Sequence, residues 1–272
     1  MRLQPLLILI PGLVGIFCLL AFSLTVPRST FSRKMRRLIA LISCFFLFAS
    51  LSFNSESKMM LHFVLLEQVC ALALVPGFLS FIREYDESKT QSLVFRICCM
   101  IPLIHLVMGV ESVYVAGFEE SVRIYMESLA FVGPMFPYLD NNGQIVFYAC
   151  YTYMFKAFVL VNFLLFALNM MKCAVGKSFK VSDFTSFMFK NGECDHVPVL
   201  YYLSLGLFLI VVPVLVLGKS CYSGKIMITV IASLVLMFAV FGISIVSIAG
   251  PIGKQSFKTT LLSVCCKKTS RI

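Results

Sequence analysis

Tryptophan is absent from this chain of 272 residues, and charge is scarce, with only 13% of residues Asp, Glu, Lys or Arg. A water-soluble domain carries about 25% charged and about 45–50% apolar residues. Here 60% are hydrophobic, so a soluble fold would leave apolar surface with nowhere to be buried. The missing tryptophan leaves tyrosine to supply an interfacial belt, and Tyr114, Tyr148, Tyr151, Tyr201 and Tyr222 are placed for it.

Catalytic motifs are missing too. There is no Gly-x-Ser-x-Gly, no His-Glu-x-x-His, no Walker loop and no Gly-x-Gly-x-x-Gly. These absences exclude the common hydrolase and nucleotide-binding signatures, and the chain is expected to be no enzyme and to need no cofactor. Glu119-Glu120-x-x-Arg123 is one residue short of the spacing in intramembrane CAAX-type proteases. Cys194-Asp195-His196 matches no zinc module, so no metal site is expected. Cysteine is plentiful, at 11, but a pair on one oxidising side is lacking. Cys18, Cys44, Cys70, Cys98, Cys99 and Cys150 fall in apolar runs, and Cys221 has no outer partner.

What is present is a set of seven apolar runs, at 5–26, 38–53, 60–82, 93–116, 144–171, 197–218 and 226–250. Each is near the ~20 residues that a helix needs to cross a bilayer. The basic residues fall on alternate connections. One side holds Arg28, Arg33, Lys34, Arg36 and Arg37, then Arg83, Lys89 and Arg96, then Lys172, Lys177, Lys180 and Lys190, and finally Lys254, Lys258, Lys267, Lys268 and Arg271. The other side has Arg2, Lys58, Arg123, Lys219 and Lys225. Short basic loops stay in the cytoplasm. The pattern therefore predicts an all-α integral membrane protein: a seven-helix transmembrane domain over 1–250, N-terminus outside, and a basic cytoplasmic tail over 251–272. The first run has one basic residue ahead of it and five just after, the reverse of a signal peptide, and reads as a retained span. The net charge of +10 is thus mainly a topology signal. Its partner is the lipid bilayer, with attraction to anionic headgroups a secondary effect, and no nucleic acid is implied.

Two connections have structure of their own. In 117–143, Phe118, Val122, Tyr125 and Leu129 recur at helical spacing opposite Glu119, Glu120, Arg123 and Glu127. An amphipathic helix on the outer surface is expected, either a connector or a lid over an outer pocket. In 172–196, a short helix led by Ser182 or Asp183 is expected, carrying Phe184, Phe187 and Met188 on one face.

Ionisable groups within the spans are costly, about 2.5–3.5 kcal/mol for Asp, Lys or Arg at a helix centre, and should face the bundle and find partners. Glu67 in the third span, His105 and Glu111 in the fourth and Lys156 in the fifth are the candidates. At ~1.5 Å per residue, Glu67 lies ~10 Å, Glu111 ~7 Å and Lys156 ~18 Å below the outer ends of their spans. Tyr148 and Thr152 precede Lys156 at i−8 and i−4 and extend a polar stripe. Lys156 is expected to pair with Glu67, with Glu111 as the second choice. The pair either pins two helices or lines an outward-open polar cavity for a small molecule.

Pro5-Leu6-Leu7-Ile8-Leu9-Ile10-Pro11-Gly12-Leu13-Val14-Gly15, followed by Arg33-Lys34-Met35-Arg36-Arg37 and a second span, resembles the start of the multi-span sensor halves of bacterial membrane-anchored AraC-type helix-turn-helix regulators. Asp183-Phe184-Thr185-Ser186-Phe187-Met188-Phe189, before two final spans, is similar in placement to their inner loop. The resemblance implies a bacterial inner-membrane setting and a sensor or signalling role with a cytoplasmic or membrane protein partner. Those regulators continue into a DNA-binding domain, and no recognition helix is expected from Lys254 to Ile272. The alternative expectation is a small-solute or ion transporter. A polar track confined to the outer half favours a sensor, whereas one continuing past Asn162 and Asn169 favours transport.

The charge asymmetry generates a topology test. Reporter domains fused after Arg37, Lys89, Lys180 and Ile272 should all report cytoplasm, and an outer signal from two or more of them would sink the assignment.

Overall fold

A computed structural model describes residues 3–25, 30–54, 57–82, 89–130 and 135–177. Among these the chain is helical, with no strand. The elements are α1 (Leu3–Thr25), α2 (Thr30–Asn54), α3 (Ser57–Ile82), α4 (Lys89–Ala116), α5 (Phe118–Ala130), a 3₁₀ turn (Phe136–Tyr138), α6 (Asn142–Tyr148), a π turn (Ala149–Met154) and α7 (Phe155–Lys177). Three stretches are long and apolar enough to cross a membrane, Met59–Ser80, Leu93–Ala116 and Asn142–Asn169, which marks a membrane protein. The last of these runs through α6, the π turn and α7 as one rod. The expected spans at 197–218 and 226–250, the helix expected in 172–196 beyond Lys177, the residues Tyr201 and Tyr222, and the tail over 251–272 lie outside the described residues.

α2 differs from its expected limits. The apolar run begins at Leu38, but the helix begins at Thr30 and carries Arg33, Lys34, Arg36 and Arg37 in its first turns. Lys, Arg and Met are good helix formers, so nothing after Pro27 stops the helix at the apolar boundary. Lys34 also fastens this overhang, its Nζ donating to the Ser80 carbonyl near the end of α3 at 2.7 Å. A cation suits that position, at the negative end of the α3 dipole.

α2 lies between α1 and α3, and α3 in turn packs on α4, α5 and α7. The α1–α2 contact depends on small residues. A Cβ added at Gly15 would stand 2.2 Å from Ser43 Oγ and 3.2 Å from Ser43 Cβ. The Ser43 hydroxyl is itself held, donating to the Ile39 carbonyl at 2.7 Å.

The turn from α4 into α5 is made by Gly117, at φ 83°. That left-handed conformation is costly for residues with a Cβ and lets α4 end and α5 begin without a linker. The Gly117 carbonyl then accepts from both the backbone N–H and the hydroxyl of Ser121, at 2.9 and 2.8 Å. The amphipathic helix expected from Phe118 to Leu129 is therefore present as α5. Its apolar face packs on the bundle. Ile124 is fully buried, and Phe118, Val122 and Tyr125 cover Met60, Leu61, Val64 and Leu65 of α3.

The rod starts hard against α4. Asn141 caps α6 by accepting from the Gln144 N–H at 2.9 Å. A Cβ at Gly143 would meet the Val115 carbonyl at 2.9 Å. Two apolar clusters result. One, at the α5 end of the bundle, joins α3, α5 and the rod through Met60, Leu61, Val64, Leu65, Ile124, Met135, Phe147 and Tyr151. A deeper one joins Leu72, Ile101 and Val159, with Phe155, Phe158 and Phe163 against it.

The Gly15–Ser43 contact sets a stability test. Gly15→Ala should lower unfolding stability in micelles by about 1–3 kcal/mol, the usual cost of overpacking. Adding Ser43→Ala should recover part of it. Equal stability of Gly15→Ala and the parent protein would show that the two helices are not in contact there.

Candidate functional site

A glutamine amide ties three helices together. Gln68 on α3 donates from Nε2 to the Tyr151 carbonyl at 3.2 Å. Its Oε1 lies 2.9 Å from His105 Nε2 on α4. The Tyr151 carbonyl can only accept, so the amide nitrogen must face it and the amide oxygen must face the imidazole. His105 therefore carries its proton on Nε2 and donates to Gln68. Its Nδ1 is buried and has no hydrogen-bond partner among the described residues. The ring, fully buried, lies 5.6 Å from Phe155 and 6.0 Å from Phe158.

The carbonyl that Gln68 reaches belongs to the π turn. A π turn pairs i with i+5 rather than i+4, which disturbs the ladder and leaves a backbone group in need of another partner. The wider turn also brings three consecutive residues, Cys150, Tyr151 and Thr152, under cover at once.

Next to this network, α5 and the 135–138 segment cover the head of the rod. Tyr148 is 1% exposed, and its hydroxyl accepts from the Met135 N–H at 3.2 Å. Phe136 lies edge-on to Tyr148 at 5.2 Å and stacks with Tyr153 at 5.2 Å. α5 covers the adjacent side, with Tyr125 edge-on to Tyr151 at 6.4 Å. Gln144 Nε2 donates to Glu120 Oε1 at 2.6 Å, linking α5 to the head of the rod. Arg123 pairs with Glu120 and with Glu127 on the exposed face of α5. The Arg123 guanidinium, helped by Gln144, holds the Glu120 carboxyl below its ordinary range.

The expected site residues therefore separate. His105 and Thr152 are buried in the bundle, and Tyr148 is buried above them. Tyr148 and Tyr151 were expected at the membrane interface. They lie in the core instead, because α5 and the 135–138 segment cover the end of the rod. Tyr114, by contrast, is 90% exposed. Lys156 is half-buried, with Nζ 6.0 Å from the Tyr153 ring centre. Glu67 is half-buried on the side of α3 that meets α2, where it accepts from Ser52 Oγ at 3.4 Å. Glu111 is exposed beside Val107, Val110, Tyr114 and Val115, outside the buried network. Its outward position reflects the turn of α4, which carries His105 and Ser112 inward. The polar stripe meets the end of the rod that α5 and the 135–138 segment cover.

Sequence reasoning overlooked Gln68 and Gln144. Their signal was present, since an amide in an apolar run has the same need of a partner as a charge, at lower cost. Asn162 behaves likewise, donating from Nδ2 to the Leu72 carbonyl at 3.2 Å. Nothing in the local sequence marks the π turn.

The Gln68 bridge is directly testable. Gln68→Leu strands the His105 Nε2–H and the Tyr151 carbonyl, and each buried orphan costs about 1–3 kcal/mol. A lowered melting temperature is expected, partly restored by adding His105→Phe. A Gln68→Leu protein as stable as the parent would show that the bridge carries no weight.

Comparison with protein-family models, curated proteins and solved structures finds no match to this chain.

Proposed function

We propose that this chain is a multi-pass membrane sensor or signalling module, not an enzyme. It has seven spans and an outer N-terminus, and takes a small molecule at its outer face. The reading is supported by one observation: along the rod, among the described residues, an apolar layer separates the buried polar residue Thr152 from the next buried one. Below Tyr151 and Thr152 comes the apolar layer of Leu72, Ile101 and Val159 with Phe155 and Phe158. The next buried polar residue on the rod among the described residues is Asn162, roughly 16 Å further along at 1.5 Å per residue. A sensor needs access from one side only. α5 and the Met135–Tyr148 contact form the part that a ligand would displace, and the rod carries the shift inward to a protein partner. The similarity to AraC-type sensor halves points the same way. The pairing of Lys156 with Glu67 belongs to this proposal as the charge that orients the third and fifth spans.

Transport is the second reading, because Asn162 and Asn169 are both buried in the inner half. Thiol accessibility separates the two. In a variant with the native cysteines replaced, Thr152→Cys should react with an impermeant thiol reagent from the outer side alone. Its rate should rise when Glu120→Ala frees α5. Modification of Thr152→Cys from both sides of sealed vesicles would overturn the sensor reading in favour of a transporter.

A further inference from the structure

α2 carries four cations between Arg33 and Arg37 and has no acidic residue from Thr30 to Asn54. The four are not equivalent. Lys34 is spent on the Ser80 carbonyl, and Arg36 is half-buried. Arg33 and Arg37 are exposed, one turn apart on the same side of the helix. Neither makes a hydrogen bond or ion pair among the described residues.

Their level matters as much as their charge. Leu38 and Ile39, which follow Arg37 directly, are 3% and 1% exposed and open the apolar part of the helix. Arg37 therefore stands at the boundary of the apolar layer, and Arg33 about 6 Å outside it at 1.5 Å per residue. The headgroup zone on each side of a bilayer is about 5–8 Å deep, the difference between a core of about 30 Å and a whole of about 40–45 Å. The two guanidinium groups bracket that zone.

We propose that Arg33 and Arg37 form a binding site for the headgroup phosphate of an anionic phospholipid. Each guanidinium presents a planar fork of donors that matches two phosphate oxygens, and two forks one turn apart can hold one phosphate between them. The lipid's tails then lie along the exposed apolar flank of the same bundle and keep the phosphate at this depth. An anion there also relieves repulsion between like charges at i and i+4. The site depends on the membrane setting of α2 and not on what the outer end binds.

The test uses the full chain in zwitterionic micelles, titrated with phosphatidylglycerol, with bound lipid counted by native mass spectrometry. Arg33→Gln with Arg37→Gln should weaken binding about tenfold or more, the effect of losing charge-assisted pairs. Arg33→Lys with Arg37→Lys keeps the charge but loses the forks, and should still weaken it about threefold. Arg96→Gln, which removes an exposed cation on α4, should change it less than about twofold. Equal losses from Arg96→Gln and the double glutamine variant would mean diffuse attraction and overturn the site. Displacement of the lipid by millimolar inorganic phosphate would assign the pair to a free anion. A lower melting temperature of the glutamine variant in lipid-free micelles would assign it to an internal acid, such as Glu84, Asp86 or Glu87 of the 83–88 connection.

Discussion

In a helix bundle surrounded by lipid, a backbone carbonyl that leaves the helical ladder must find a donor inside the protein. The π turn at 149–154 creates that need and the Gln68 amide meets it. Much of the described bundle follows from this bond. Gln68 reaches Tyr151 only if α3 lies against the rod, and its oxygen must then be satisfied in turn. His105 does so, which sets the rotation of α4. One side chain thus fixes the register of three helices, something that apolar packing alone does poorly in a membrane. Lipid tails are as apolar as leucine, so apolar contact between helices gives little net drive.

The end of the bundle beside α5 is organised around a different problem. Tyr148 and Tyr151 carry hydroxyls and large rings, and the bundle ends there. Covering them required two pieces, α5 and the segment from Met135 to Tyr138. α5 is tied down by Ile124 and by the Glu120–Gln144 bond. The second piece is held by the Met135 N–H on Tyr148. Neither piece has the long apolar contact of the spanning helices. Both are therefore held by a few short-range contacts rather than by a long helix face.

The spans were legible where burial followed length. The runs at 60–82 and 93–116 correspond closely to α3 and α4, since the helical limit and the apolar limit fall together. α5 was legible for the opposite reason: Phe118, Val122 and Tyr125 alternate with charge at a helical period that solvent on one side imposes. The start of α2 was not legible from hydropathy, because Arg and Lys continue a helix as readily as leucine does. The placement of Tyr148 and Tyr151 was misread because interfacial preference describes a tyrosine with nothing above it. The need of Gln68 for a partner was legible, but its pairing with the π turn lay beyond reach for a deeper reason. The turn is a response to tertiary contacts, and the residue that satisfies it is 83 positions away in the chain. Depth along a span says nothing about which side of a helix a residue takes. Glu67 and Gln68 are neighbours in sequence yet meet α2 and the rod respectively.

Gly117 has leverage of another kind. A side chain there would touch nothing, since no atom lies within 4 Å of the added Cβ. It would only strain a backbone held at φ 83°, by about 1–2 kcal/mol. Such strain falls on the joint and on no single contact, so on the proposed reading, in which a ligand displaces α5, it would change how often α5 lifts by roughly tenfold while leaving the surface beneath it as it was. On that reading the frequency of opening and the chemistry of what is uncovered are separate properties, open to adjustment one at a time.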